Sequence, residues 1–153
     1  MGEETVNPMV IYIDGDIFTS TCQTLVNPVN VVGVMGKGLA LQMKKRFPGC
    51  FSPYVSACSK KLLAPGKLLL WKGEDHWILQ FPTKVDWMGP SNIQYIEAGL
   101  KKFAQTYKEK GITSAAFPML GCGEGGLPEG QVVELYEQYL EPLDIKCEVY
   151  SLK

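Results

Sequence analysis

Two glycine-rich segments are the parts of the chain best suited to holding a phosphorylated ligand. Gly33–Gly38 follows a strand-like run and opens a helical pattern, and Gly121–Gly126 stands in the same position between a strand and a helix. Glycines let the main chain approach a ligand closely, and free N–H groups at the start of a helix favour a phosphate. The first segment matches neither the Walker order nor G-x-G-x-x-G. A tight turn alone explains either segment, whereas two such loops at one sheet edge can hold two linked phosphates.

Other kinds of site have few candidate residues. The five cysteines are odd in number and scattered, and they form no C-x-x-C pair. His76 is the only histidine. We therefore expect no disulfide and no metal site, and no cofactor beyond a bound ligand.

Length and charge narrow the class of protein. With 153 residues, 46% hydrophobic and 20% charged, the chain is expected to form one domain over residues 1–153. It has no apolar run of membrane-spanning length, so we expect a cytoplasmic protein without membrane contact. Residues 17–73, called here the basic segment, contain no Asp or Glu but eight Lys or Arg residues. A polyanionic partner and a merely solvated basic surface are equally good explanations.

The elements that must position these loops follow from hydrophobic periodicity. Strands are expected at residues 10–13, 24–26, 68–71, 77–81, 114–117 and 147–151, the third and fourth pairing as neighbours across a polar turn. Helices are expected at residues 37–47, from an N-cap at Ser91 to Gly111, and at residues 131–140. This alternation predicts an α/β fold in three layers, a mixed and largely parallel sheet covered on both faces by helices, with ligands beyond the carboxyl ends of the strands.

Four motifs in this order resemble the macrodomain family over almost the whole chain. They are Gly15-Asp16-Ile17, Leu25-Val26-Asn27-Pro28-Val29-Asn30, the Gly33–Gly38 loop, and Phe117-Pro118-Met119-Leu120-Gly121-Cys122-Gly123. The resemblance implies a single macrodomain with an ADP-ribose cleft at one edge of the sheet.

The resemblance also implies roles for individual residues. Asp16 would accept a hydrogen bond from the adenine amino group, Ile17 would offer its main-chain N–H, and Asn30 would contact the distal ribose. An Asx turn or helix cap is the alternative for Asp16, and a turn side chain bonded to its own backbone is the alternative for Asn30. The full set expected to bind ADP-ribose is Asp16, Ile17, Asn30, Gly33, Val34, Met35, Gly36, Lys37, Gly38, Thr83, Gly121, Cys122, Gly123, Glu124, Gly125, Gly126 and Leu127.

Within the family, residues 32–40, Phe47-Pro48 and Phe81-Pro82-Thr83-Lys84 are similar to a narrower branch. That branch holds the terminal ADP-ribose glycohydrolases and the DNA ADP-ribosyl glycohydrolase antitoxins, in which the lysine matching Lys84 is linked to catalysis. An unprotonated lysine could attack the anomeric carbon, and a protonated one could stabilise the departing group. Both roles stay open for Lys84.

The second glycine loop bears on which bond is cut. Protein glycohydrolases of this branch carry an aspartate where this chain has Gly125, so the resemblance is closer to the DNA antitoxins. Glu124 stands where an apolar residue is usual, and Pro128-Glu129 replaces an aspartate-tryptophan pair. Glu124 is either a solvated loop residue or a carboxylate acting as acid or base in place of the aspartate.

The function expected from the resemblance is hydrolytic removal of mono-ADP-ribose from a nucleobase in DNA, with Lys84, Asn30 and Glu124 as catalytic residues. Two alternatives remain: hydrolysis of ADP-ribosyl esters on protein Glu or Asp or of small ADP-ribose derivatives, and a non-catalytic ADP-ribose reader. The expected partners are ADP-ribose, ADP-ribosylated DNA, single-stranded above all, or ADP-ribosylated protein, and a cognate ADP-ribosyltransferase toxin. Trp87, three residues past Lys84, is the aromatic residue expected to meet substrate, with core or rim packing as the alternative. Antitoxins of this branch usually carry a further C-terminal domain, so the chain is expected to be an excised domain or a stand-alone relative.

Overall fold

Six strands form one sheet in the computed structural model, which describes residues 10–86, 89–123 and 125–151. The strands are β1 (Val10–Asp14), β2 (Thr24–Val29), β3 (Leu69–Lys72), β4 (Trp77–Pro82), β5 (Ser114–Pro118) and β6 (Lys146–Ser151). Their order across the sheet is β1-β6-β5-β2-β4-β3, and every neighbouring pair is parallel except β3 and β4. The carboxyl ends of five strands therefore meet at one edge of the sheet.

Helices cover both faces of this sheet. They are α1 (Gly38–Arg46), α2 (Phe51–Ser59), α3 (Ile93–Lys110) and α4 (Glu129–Tyr139), with short 3-10 helices at Ile17–Thr19 and Pro48–Cys50. Successive residues of a strand point to opposite faces, so Val26 of β2 packs with α3 and α4 while Leu25 packs with α1 and α2. The α3 helix comes so close to β4 that a Cβ on Gly99 would lie 2.3 Å from Cζ of Phe81. A hydrophobic core lies on each face of the sheet, beneath α3 and α4 on one side and beneath α1 and α2 on the other. The predicted three-layer fold with a mixed, largely parallel sheet is confirmed.

Two local expectations are corrected. Ser91 does not cap α3, because the cap is Asn92, whose Oδ1 accepts a hydrogen bond of 2.8 Å from the N–H of Gln94. The α2 helix was not anticipated at all, since Pro53 falls in it and Pro48-Gly49 precedes it. Proline is tolerated there because the first turn of a helix needs no N–H donor.

The described part of the chain contains no helix that is both long and apolar enough to cross a membrane.

Candidate active site

A cleft of ≈ 550 Å³ opens at the edge of the sheet where the five parallel strands end. Its walls come from the loops that follow β1, β2, β4 and β5, together with the start of α1. Most of the residues expected from the sequence to form a site line this cleft, namely Asp16, Ile17, Asn30, Val34, Gly36, Lys37, Gly38, Thr83, Lys84, Gly121, Cys122, Gly123, Gly125 and Leu127. Both glycine-rich loops thus face one space.

Three expected residues lie outside the lining. Met35 is 2% exposed and belongs to the core beneath α1 and α2. Gly33 and Gly126 have φ values of +89° and +78°, so they supply left-handed turns that favour glycine. Glu124 and Trp87 lie outside the described residues, and their expected roles remain predictions.

The first glycine loop is held by the side chain of Asn30, which is 7% exposed at the end of β2. Its Oδ1 accepts hydrogen bonds from the N–H groups of Val32 and Val34 at 3.1 and 3.3 Å, and its Nδ2 donates to the carbonyl of Val34 at 2.8 Å. The hydroxyl of Tyr54 lies 2.7 Å from Oδ1 and 2.9 Å from the main-chain oxygen of Asn30. The alternative of a turn side chain bonded to nearby backbone is therefore what the structure shows, and one N–H of Nδ2 is left for a ligand.

Tyr54 was not identified from the sequence as part of the site. Burial raises the pKa of Tyr54 well above its ordinary value, so its hydroxyl remains a hydrogen-bond donor at neutral pH. The signal that could have found it is the spacing of Phe51, Tyr54 and Ala57, a helical stripe aimed at the core.

Unpaired main-chain N–H groups gather where a phosphate is expected. In the first loop and the start of α1, the N–H groups of Gly36, Gly38, Leu39 and Ala40 have no acceptor among the described residues, and all four residues line the cleft. The first turn of a helix always leaves such donors, and the helix dipole adds positive charge there. In the second loop the N–H groups of Gly121, Gly123 and Gly125 are unpaired within the described chain in the same way. The two loops therefore offer donors to two adjoining phosphates.

The loop after β1 brings Asp16 and Ile17 to the cleft. Oδ1 of Asp16 accepts a hydrogen bond of 2.9 Å from the N–H of Phe18, which caps the 3-10 helix. The other carboxylate oxygen and the N–H of Ile17 make no hydrogen bond to the described residues. Asp16 is thus a helix cap that keeps one oxygen for a ligand, so its two interpretations are compatible.

Lys84 is half-buried and lines the cleft directly after β4. The preceding residue, Thr83, is fixed by its main chain, because its N–H donates to the carbonyl of Val29 at 2.9 Å and its carbonyl accepts from the N–H of Asn92 at 3.4 Å. The amino group of Lys84 forms no hydrogen bond or ion pair with the rest of the described chain. Its amino group is therefore available to contact a bound substrate.

The second glycine loop is fastened from two sides. The buried hydroxyl of Tyr136 in α4 bonds to the carbonyl of Pro118 and accepts from the N–H of Leu120 at 3.2 Å. On the other side, the N–H of Ser91 donates to the carbonyl of Gly125 at 3.1 Å.

Ser91 also limits what can stand at position 125. A Cβ on Gly125 would lie 2.1 Å from Oγ of Ser91 and 2.5 Å from the carbonyl oxygen of Gly121, far below contact distance. Oγ of Ser91 is itself buried and has no hydrogen-bond partner. A side chain at position 125, including an aspartate, therefore requires this loop to move.

The other titratable groups near the cleft are held in inert forms. Burial, and to a smaller degree the carboxylate of Glu129, raises the pKa of Cys122 to about 11, so the thiol is neutral and a poor nucleophile. Burial favours a raised pKa for Glu148, but hydrogen bonds from Tyr150 and Ser20 and the charge of Lys146 outweigh it and lower that pKa. Glu148 is thus a buried carboxylate whose bonds fix Tyr150, a residue of the cleft lining.

Part of the basic segment lies beside the cleft. The last turn of α1 carries Lys44, Lys45 and Arg46. The guanidinium of Arg46 lies 4.2 Å from the ring centroid of Phe18, which lines the cleft. Arg46 therefore adds positive charge beside the part of the cleft that the loop after β1 forms.

The chain is similar in sequence to known proteins. The matching family model is described as Macro domain and covers residues 26–136. A DNA ADP-ribosyl transferase-DNA ADP-ribosyl glycohydrolase fusion protein of Thermosipho africanus (strain H17ap60334) is 41% identical to this chain over an alignment of 157 residues. The alignment covers 90% of this chain and 40% of that protein. The chain spans about two fifths of the length of the curated DNA ADP-ribosyl glycohydrolases it matches.

Solved structures give the same result. The macrodomain of Thermus aquaticus DarG superposes with a TM-score of 0.88 and 37% identity, covering 93% of this chain and 97% of that one. The structure of Thermosipho africanus DarTG in complex with ADP-ribose also has a TM-score of 0.88, with 43% identity over 93% of this chain and 41% of that one.

Proposed function

The chain belongs to the macrodomain family, and from that premise we propose that it is an ADP-ribosyl glycohydrolase that removes mono-ADP-ribose from a nucleobase in DNA. Its relative from Thermosipho africanus is named for that activity, and a structure of the Thermosipho africanus DarTG holds ADP-ribose. The observation that carries the proposal is the position of Lys84, whose side chain lines the same cleft as both glycine loops and has no hydrogen-bond or ion-pair partner among the described residues.

The cleft suits each part of ADP-ribose. The unpaired N–H groups of the two glycine loops would bind the diphosphate. The free carboxylate oxygen of Asp16 and the N–H of Ile17 would bind the adenine amino group and a ring nitrogen, one as acceptor and the other as donor. The remaining N–H of Asn30 would reach the distal ribose from the floor of the first loop. These assignments place the anomeric carbon of that ribose on the side of Lys84.

The reaction adds water across the bond between the anomeric carbon and the base. The bond to the base breaks, the water oxygen bonds to the carbon, and a proton is delivered to the departing base. A protonated Lys84 would stabilise the charge that develops as this bond breaks. An unprotonated Lys84 would instead attack the carbon and form an adduct that water then hydrolyses. Mass spectrometry of denatured protein during turnover separates these roles, because only the second leaves ADP-ribose on Lys84.

Position 125 supports a nucleobase over a carboxylate ester as the leaving group. The space that an acid at this position would need is filled by Ser91 and by the loop itself. Without an acid at position 125, the proton that the departing nucleobase takes up must come from solvent or from Glu124. The catalytic role of Glu124 is part of this proposal.

The surroundings of the cleft support DNA as the carrier. Lysines of the basic segment would hold phosphates of the strand, a contact that positions it without reading its sequence. We further propose that the protein acts in the cytoplasm, against an ADP-ribosyltransferase toxin, as the fusion of the two activities in its relative suggests.

The decisive experiment compares the chain with its Lys84→Ala variant on an ADP-ribosylated single-stranded oligonucleotide. We expect release of ADP-ribose by the unmutated chain, no release by the variant, and calorimetric binding of ADP-ribose by both. Binding without release by the unmutated chain would identify a reader instead. Release from an ADP-ribosylated glutamate peptide but not from the oligonucleotide would identify an ester hydrolase.

A further inference from the structure

Three exposed valines, called here the valine rim, lie on the two neighbouring loops that follow β2 and β4, the second of which carries Lys84. Val32 is 51% exposed, Val34 is 36% exposed and Val85 is 47% exposed. Val34 lines the cleft, and Val85 directly follows Lys84 in the chain. The other large hydrophobic side chains exposed in the described residues lie elsewhere, on β1, on α2 and just after α2. A single exposed valine is ordinary, but three around one functional group form a surface.

Hydrogen bonds hold the main chain at all three valines of the rim. The N–H groups of Val32 and Val34 both bond to Oδ1 of Asn30, which is itself fixed by Tyr54. A main-chain bond of 3.3 Å from the N–H of Val31 to the carbonyl of Val85 ties the loop after β2 to the loop after β4. The main chain that carries the three exposed valines is therefore positioned without a ligand.

We propose that the valine rim packs against the face of the nucleobase that carries ADP-ribose, an inference that rests on the proposed function. With the diphosphate in the glycine loops and the anomeric carbon beside Lys84, the group attached to that carbon leaves the cleft past Val85. A nucleobase presents two flat apolar faces, which aliphatic side chains bind well. A glutamyl peptide would instead bring carboxylate and amide groups to this position, and valines offer them no hydrogen bonds.

Charge around the rim agrees with a nucleic acid. Lys84 precedes Val85 and Asp86 follows it, while the basic segment, which holds Val32 and Val34, contains no carboxylate between residues 17 and 73. The strand phosphates beyond the base would thus meet cations while the base meets valines. Apolar and cationic groups divide the two parts of a modified nucleotide between them.

The test measures binding, so that it does not depend on catalysis. In a Lys84→Ala background, calorimetry gives the affinity for free ADP-ribose and for an ADP-ribosylated single-stranded oligonucleotide. Val32→Thr and Val85→Thr replace a methyl group by a hydroxyl at exposed sites and are expected to fold. We expect each to weaken oligonucleotide binding about 3- to 10-fold, the loss of one or two methyl contacts, and to leave ADP-ribose binding unchanged.

Val55→Thr is the control, because Val55 is also an exposed valine, at 37%, and lies on α2 outside the cleft lining. Unchanged oligonucleotide binding in both rim variants, or a loss equal to that of the control, overturns the inference. An equal loss for free ADP-ribose also overturns it, since the rim would then belong to the ADP-ribose pocket. Tighter binding of an ADP-ribosylated glutamate peptide, weakened by the same variants, would assign the rim to protein substrates. Failure of the unmutated chain to bind ADP-ribose would refute the proposed function itself.

Discussion

Tyr54→Phe tests whether the first glycine loop is organised before ligand binds. The substitution removes one hydroxyl and keeps the ring that packs beneath β2. That hydroxyl is fully buried and contacts both oxygens of Asn30, at 2.7 and 2.9 Å. Because Asn30 in turn holds the N–H groups of Val32 and Val34, the change reaches the loop through one hydrogen bond.

The expected loss of stability follows from the oxygen of Asn30 that the substitution leaves without a hydrogen-bond donor. Oδ1 of Asn30 keeps its two N–H donors, whereas its main-chain oxygen loses the Tyr54 donor inside a buried site. Leaving a buried acceptor without a partner costs about 1–3 kcal/mol. For a chain of this length that corresponds to a fall in Tm of roughly 3–10 °C. A looser loop must be ordered by the ligand, so we expect ADP-ribose to bind about 3- to 10-fold more weakly.

Calorimetry of unfolding and of ADP-ribose binding measures both quantities on the same protein. Tyr139→Phe is the control, because its hydroxyl also bonds a side chain, Oε2 of Glu97 at 2.6 Å, but lies between α4 and α3 away from the cleft. We expect the control to lose stability without losing affinity. If Tyr54→Phe lowers Tm and leaves the affinity for ADP-ribose unchanged, then the bond between Tyr54 and Asn30 does not organise the loop, and this reasoning fails.

Three further outcomes follow from the site. Gly125→Ala should lower Tm by several degrees and weaken ADP-ribose binding, because its Cβ would lie 2.1 Å from Oγ of Ser91. Gly123→Ala is the control and should keep its Tm, since nothing lies within 4 Å of its Cβ. Equal Tm values for the two variants would show that the loop tolerates a side chain at position 125. Ser91→Ala should unfold at an unchanged or slightly higher temperature, since the lost hydroxyl has no partner, and a clear drop in Tm would contradict that description. Glu148→Gln should destabilise the protein by about 2 kcal/mol near neutral pH, because it removes an ionised acceptor of the Tyr150 and Ser20 hydrogen bonds. The pKa of Glu148 is lowered in the folded protein, so its contribution is present above the unfolded pKa and is lost as pH falls through the folded one; urea titrations at pH 7 and at about pH 3 should show the difference shrinking.

The fold could be predicted because its signals are local. β-branched runs such as Val10–Ile13 and the apolar spacing of α3 identify elements without knowledge of the rest of the chain. The α2 helix carries weaker signals, since Pro53 and its flanking serines look like a loop and its apolar stripe spans only two turns. Ser91 and Asn92 are both good N-caps by residue type, and only the packing of Ser91 against Gly125 decides between them.

The site was predictable in its members more than in their contacts. The order of the motifs and their positions after strands predicted one cleft for Asp16, Asn30 and Lys84, and all three residues line the same cleft in the structure. The sequence left open whether Asn30 bonds to its own loop, and it could not show the further contact with Tyr54, which is 24 residues away. Nor could it show that Met35 of the first loop points into the core rather than to the ligand.

The hydrogen bond between the carbonyl of Thr83 and the N–H of Asn92 joins the end of β4 to the start of α3, so the contact between these two elements does not depend on the residues that connect them. Lengthening a loop whose ends are already fixed costs little, about 0.6 kcal/mol for each doubling of its length. A change in the number of residues between Val85 and Ser91 should therefore leave β4 and the start of α3 in place. That makes this segment the natural point at which to engineer, or for evolution to alter, the group from which ADP-ribose is removed.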